Sequence, residues 1–222
     1  MAFVVAIDGP AGSGKGTVTK LVADKLGLVN IDTGAMYRCV ALKALRNNIS
    51  ENEIEKVEGL LNNITIEMKK VDGKQIVLLD GEDVSEEIRT PKVDSCVAKF
   101  AAIPQVRNKV TPLQRKMGET ENIIMEGRDI GTVVFPNADV KIYLDASVEA
   151  RAERRYKQDI EKGIEISYEE VLEAIKERHK LETEREIAPL RQAEDAIYLD
   201  SSNLTIEQVV NKIVDIIESK KN

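Results

Sequence analysis

The feature that most limits what this chain can fold into is a strand, a glycine-rich turn and a helix, met in that order at its start. Phe3-Val4-Val5-Ala6-Ile7 is continuously apolar and β-rich, the pattern of a strand buried on both faces of a parallel sheet. Asp8-Gly9-Pro10 ends it. From Thr17 to Leu26, Val18, Leu21, Val22 and Leu26 recur at helical spacing, and Gly27 suits a C-terminal stop. The turn between, Gly9-Pro10-Ala11-Gly12-Ser13-Gly14-Lys15-Gly16-Thr17, supplies the G-x-x-x-x-G-K core of a phosphate-binding P-loop. Glycines let backbone N–H groups turn toward phosphate oxygens, Lys15 neutralises the β and γ phosphates, and the following helix adds its positive N-terminal dipole. A serine or threonine normally follows such a lysine. Here Gly16 intervenes and leaves Thr17 as the hydroxyl able to hold Mg²⁺. A plain glycine turn with an exposed lysine is the bland alternative, and the strand before and helix after argue against it.

Further strand-like runs, Asn122 to Met125, Val140 to Leu144 and Ala196 to Leu199, are separated by long helical segments. That rhythm implies crossover connections and an α/β core with a mostly parallel sheet. One stretch breaks it: Ile64 to Leu79 alternates as two strands around Asp72-Gly73, a favoured two-residue hairpin turn. We read residues 1–38 and 120–222 as core and 39–119 as an inserted subdomain. Within the insertion, Ser50-x-x-Glu53 is read as a capping box opening a short helix. Ser167-x-x-Glu170 and Thr205-x-x-Gln208 mark two more helix starts, the last helix running to about Ser219.

Composition excludes several classes. Lysine and arginine total 32 against 39 acids, a net charge of −7, so no general affinity for nucleic acid or anionic membrane is expected and any anion site is local. No apolar run approaches the roughly 20 residues of a membrane span, and Met1 to Asp8 lacks the basic start and long apolar stretch of a signal peptide; a cytoplasmic protein is expected. Cys39 and Cys96 lack metal-ligand spacing and are read as reduced structural thiols. The single histidine, His179, stands between Arg178 and Lys180 and is read as a solvated helix residue rather than the base of a Ser-His-Asp set. The base-reading N-K-x-D element of GTP switches does not occur. Two strand-end acids, Glu126 and Asp145, are each open to two readings, contact with a metal through water or the capping of a turn.

The loop form G-x-x-G-x-G-K-G-T resembles that of nucleoside monophosphate kinases. Asp32-Thr33-Gly34-Ala35-Met36-Tyr37-Arg38, Glu126-Gly127-Arg128-Asp129-Ile130-Gly131-Thr132 and Val133-x-Phe135-Pro136 resemble the bacterial cytidylate kinase family, in order over nearly the whole chain. The resemblance implies a P-loop NTPase-like core, an inserted β-containing segment at 39–119 that binds the acceptor nucleotide, and a short lid at 151–167. It implies ATP and Mg²⁺, with direct in-line transfer of the γ-phosphoryl to CMP or dCMP, giving ADP and CDP or dCDP. Thr33 and Tyr37 would contact the acceptor, and Arg38 and Arg128 would hold its 5′-phosphate by forked hydrogen bonds. Asp129 would accept from the cytosine amino group or a sugar hydroxyl, while Arg107 would face the base carbonyl and ring nitrogen. Arg178, Glu182 and Arg185, spaced i, i+4, i+7, would share a helix face, Glu182 orienting both guanidiniums. Of the lid arginines Arg151, Arg154 and Arg155, Arg154 would join Lys15, Arg128, Arg178 and Arg185 in neutralising the migrating group. The chain departs from the family's R-D-x-x-D-x-x-R pattern at His179 and Glu182, and has Ala98 where a serine near the base is expected. A monomer with nucleotides as its only partners is expected. Two other readings stay open: a kinase for UMP or a phosphorylated metabolite, and a non-catalytic ATP-binding regulator.

Overall fold

The computed structural model describes residues 2–71 and 74–221 and divides into two compact units, residues 1–32 with 115–222, and residues 33–114. The first is built on β1 (Val4–Asp8), β2 (Val29–Asp32), β6 (Ile123–Gly127), β7 (Val140–Asp145) and β8 (Ile197–Asp200). These form one five-stranded sheet in the order β2-β6-β1-β7-β8, with every neighbouring pair parallel. Central strands β1 and β6 are buried along their whole length, which is why they are continuously apolar until their ends. Helices α1 (Lys15–Leu26) and α8 (Ile206–Lys221) cover the sheet through Val18, Val22, Val209, Val210, Ile213 and Ile217. Hairpin helices α6 (Val148–Glu161) and α7 (Tyr168–Glu184) pack through Ala152, Val171 and Ile175, with Tyr156 edge-on to Tyr168. Both boxes drawn at 167–170 and 205–208 are present.

Strand β2 was not expected from sequence. It has four residues, one of them Asn30, and sits at the sheet edge, so it carries neither length nor a clean apolar run. Because β6 lies between β2 and β1, the chain leaving β1 crosses over a neighbour, and the carboxyl ends of the strands there open a crevice of the kind that binds ligands in α/β sheets. Acids gather along that edge: Asp8, Asp32, Asp145 and Asp200 close their strands, and Glu126 is the last residue but one of β6.

The second unit comprises α2 (Thr33–Arg46), α3 (Ile54–Asn62), an antiparallel sheet of β3 (Ile66–Val71), β4 (Lys74–Leu79) and β5 (Glu82–Asp83), α4 (Pro91–Ala102) and most of α5 (Pro104–Met117). The two expected strands are there in register Ile66 with Leu79, while the Asp72-Gly73 turn lies outside the described residues. Helix α2 is buried nearly all round, with Ala35, Met36, Cys39, Val40, Ala41 and Leu42 inside, as befits the central helix of its unit. The Ser50–Glu53 box does not open a helix. Glu53 does accept from the Ser50 amide at 2.9 Å, but the Ser50 hydroxyl binds Asn52 and α3 starts only at Ile54, so the pair closes a turn instead.

Ile213 is fully buried against the sheet and Leu21 is 41% exposed. Ile213→Ala is expected to cost about 2–5 kcal/mol of stability, and Leu21→Ala less than about 1 kcal/mol, read from urea unfolding midpoints. Equal losses would contradict this packing.

Candidate active site

The phosphate loop leaves β1 at Gly9, whose φ is 154° and whose missing Cβ would fall 2.0 Å from the Leu144 carbonyl oxygen. No other residue passes the neighbouring strand there. Lys15 opens α1 and folds back over the loop, its Nζ donating to Pro10 O at 2.7 Å and Ser13 Oγ at 3.2 Å. The ammonium is buried. Desolvation, reinforced by Arg128, pulls its pKa well below the ordinary lysine range, against the opposing charges of Glu126, Glu182 and Asp8.

Helix α6 braces the loop from one side. Arg151 donates to Ala11 O at 3.2 Å and Ala146 O at 3.1 Å; Arg154 donates to Ser13 O at 3.3 Å and to the Ser201 hydroxyl at 3.1 Å. In a planar trans peptide the carbonyl and the next N–H point in opposite directions. Engaging the Ala11 and Ser13 carbonyls therefore turns the Gly12 and Gly14 amides away from the arginines. Arg151 and Arg154 thus lie on the carbonyl side of the loop, and Arg155 pairs with Asp159 at 2.9 Å along the helix.

Opposite sequence positions supply a cluster around Glu182. Its buried carboxylate accepts from Arg128 Nε at 2.8 Å and from Arg178 Nε at 2.9 Å. Burial alone would raise its pKa, yet Arg128 and Arg178 together hold it far below the usual carboxylate range. The expected pairing of Glu182 with both Arg178 and Arg185 needs correction. Helix α7 ends at Glu184 and Arg185 is extended, so the i+7 geometry fails; Arg185 donates to Ala188 O at 2.8 Å and approaches Asp129 Oδ1 at 3.7 Å. Arg128, distant in sequence, takes the vacated place at Glu182.

His179 also departs from expectation. It stands four residues after buried Ile175 and three before buried Glu182, on the inner face of α7, so it is half-buried and its Nδ1 is enclosed without a hydrogen-bond partner. Desolvation and nearby Arg151 lower its pKa.

The two strand-end acids separate. Asp145 caps the Ala146 amide at 2.8 Å and accepts from Tyr198 at 3.2 Å, a turn-capping role. Glu126 lies under the loop: Oε1 is 3.4 Å from the Thr19 hydroxyl and would be 3.3 Å from a Cβ on Gly16, which explains the glycine between Lys15 and Thr17. Burial and Asp32 raise its pKa. Among the described residues no three acids, histidines or cysteines converge to hold a metal by themselves. The oxygen donors present, Glu126 and exposed Thr17, fit Mg²⁺, which takes one or two protein ligands and completes its shell with phosphates and water.

Sequence reasoning passed over Asp8 as a mere strand end. Its Oδ1 accepts from the Ile130 amide at 2.8 Å and its Oδ2 from the Gly131 amide at 2.7 Å. Burial still outweighs these bonds and pushes its pKa up to about 6.

In the other unit, Thr33 is buried at the start of α2 and Arg107 lies over the Tyr37 ring, 5.4 Å from its centroid, donating to Ala101 O at 3.1 Å. Arg38 donates to Ile88 O at 3.0 Å and is paired with Asp94. The structure thus joins Tyr37 to Arg107, two residues that the sequence separates by most of this unit.

A family model described as cytidylate kinase matches residues 5–219. The chain is 50% identical over 212 residues to the cytidylate kinase of Caldicellulosiruptor saccharolyticus, covering 96% of this chain and 94% of that one. It is 45% identical over 216 residues to the cytidylate kinase of Bacillus subtilis, covering 97% and 96% respectively. A crystal structure of an uncharacterized protein from Eubacterium ventriosum shares the fold, with a TM-score of 0.54 at 11% identity over 99% of each chain. With a buried lysine in the phosphate loop, arginines gathered on one carboxylate beside it and relatives matched from end to end, this chain belongs to the cytidylate kinase family.

Proposed function

We propose that the chain transfers the γ-phosphoryl of ATP directly to the phosphate of CMP or dCMP, giving ADP and CDP or dCDP. The observation that carries this reading is a desolvated Lys15 in the same compact unit as Arg128 and Arg178, both gathered on Glu182. Phosphoryl transfer passes through a loose, charge-spread transition state that asks for positioned cations more than for a base. Lys15 and the Gly12 and Gly14 amides meet the donor phosphates; Arg128, Arg178 and Arg185 meet the acceptor phosphate and the migrating group. Arg154, from a lid spanning 151–167, joins them by exchanging its bonds to Ser13 and Ser201 for phosphate oxygens. Thr17 directly, and Glu126 through water, would hold Mg²⁺, which would supply charge neutralisation at the donor phosphates.

The 33–114 unit supplies acceptor recognition in this reading. Thr33, Tyr37 and Arg38 contact the nucleotide and Arg107 faces the base carbonyl and ring nitrogen from its seat on Tyr37, while Asp129, a residue of the first unit, accepts from the cytosine amino group or a sugar hydroxyl. We take the enzyme to act as a cytoplasmic monomer.

Coupled ADP-release assays with CMP, dCMP, UMP, AMP and dTMP should show turnover highest with CMP or dCMP; preference for another acceptor would contradict the assignment. Lys15→Ala should lower kcat about 10²–10³-fold, as removal of one transition-state donor does elsewhere. Turnover retained by that variant would refute the mechanism, and ATP binding by the wild type without acceptor-dependent ADP release would favour a regulator.

A further inference from the structure

We infer that Asp8 is a positioning residue of the transfer, fixing the Arg128–Asp129 dipeptide in register with the phosphate loop. The inference rests on the proposed function, because it gives those two residues their work. In the ladder between β1 and β6, Asp8 stands opposite Gly127, the last residue before the dipeptide. The chain then leaves the ladder for Arg128 and Asp129 and returns to the same residue, whose two carboxylate oxygens receive the amides of Ile130 and Gly131 at 2.8 and 2.7 Å. One residue therefore brackets the dipeptide on both sides. Asp8 is also joined by a single peptide bond to Gly9, the first residue of the loop.

The chemistry of the joint explains the residue type. A carboxylate gives each of the two successive amides its own oxygen, with charge-assisted bonds to both. Asparagine has nearly the same shape, yet it would turn an N–H₂ group toward one of those amides and leave a buried donor unpaired. A carboxylate in this place carries a desolvation penalty, and a chain that needed only a strand end would gain by an apolar residue. Each oxygen accepts one of the two amides, which fixes the orientation of the carboxylate in the joint. The neighbouring surface is tight: a Cβ on Gly131 would lie 3.4 Å from Asp8 Oδ2 and 3.1 Å from Lys141 Cδ. The Asp8 carboxylate thus lies in ordinary contact beneath this turn, with the Lys141 stem packed more closely beside it.

A joint of this kind governs where the acceptor phosphate is held relative to the donor, while its effect on the donor's grip is limited to the charge that Asp8 presents to Lys15. In Asp8→Asn, kcat/KM for CMP at saturating ATP should fall about 10- to 100-fold, the range for one buried donor left unpaired. Affinity for a fluorescent ATP analogue without acceptor should change by a clearly smaller factor, since there Asp8 acts only through its charge near Lys15. Asp8→Ser, whose shorter side chain offers a single oxygen to the two amides, should show the same split and serves where Asp8→Asn does not fold. The inference is overturned if a folded variant keeps kcat/KM for CMP, or if kcat/KM for CMP and ATP affinity fall by the same factor. Absence of CMP-dependent turnover in the wild type would instead remove the proposed function, and this inference with it.

Discussion

An ammonium group held out of water is the constraint on which the site depends. Lys15 can be buried only because the loop that carries it turns back on itself, giving Nζ the Pro10 carbonyl and the Ser13 hydroxyl. That turn exists only because Gly9 slips past the Leu144 carbonyl, and Leu144 is where it is because β7 runs parallel beside β1 in the middle of the sheet. A triphosphate arriving at the loop adds to the negative charge of Glu126, Glu182 and Asp8 around the desolvated lysine, so binding raises the fraction of charged ammonium as it forms the contact.

The arginines obey the same logic with a different solution. Arg128 is half-buried, and a guanidinium does not shed its charge, so a counter-charge accompanies it. Glu182 provides that and takes Arg178 as well. Its pKa stays depressed despite burial, so the cluster holds its form at neutral pH; the stabilisation is present above the ordinary glutamate value and is lost as pH falls well below it. The longer glutamate side chain at this position is enough to reach two guanidiniums by their Nε groups.

Much of this was legible in the sequence where local pattern and tertiary role agree. The β1 strand, the loop and α1 were read correctly because burial on both faces leaves a continuous apolar run and the loop chemistry is local. The two long strands of the small antiparallel sheet and the capping boxes of α7 and α8 were visible for the same reason. What stayed hidden depends on partners far along the chain. Nothing near Glu182 announces Arg128, nothing near Asp8 announces the amides at 130 and 131, and β2 is a strand only because β6 lies beside it. Helical spacing misled at Arg185, since the helix stops one residue short of it, and His179 looked solvated because its sequence neighbours are charged while its helix face is buried. The burial of Ile175 and Glu182 at i−4 and i+3 was the available signal for the histidine.

Direct displacement between two phosphates leaves a stereochemical record. ATP made chiral at its γ-phosphorus with sulfur and oxygen isotopes, turned over with CMP, should yield CDP whose transferred thiophosphoryl group is inverted. A single in-line step inverts the phosphorus, and Lys15 with the arginine cluster provides no nucleophile for a second. Retention of configuration would show a phosphorylated enzyme intermediate and contradict a site that works by gathering charge around one transferring group.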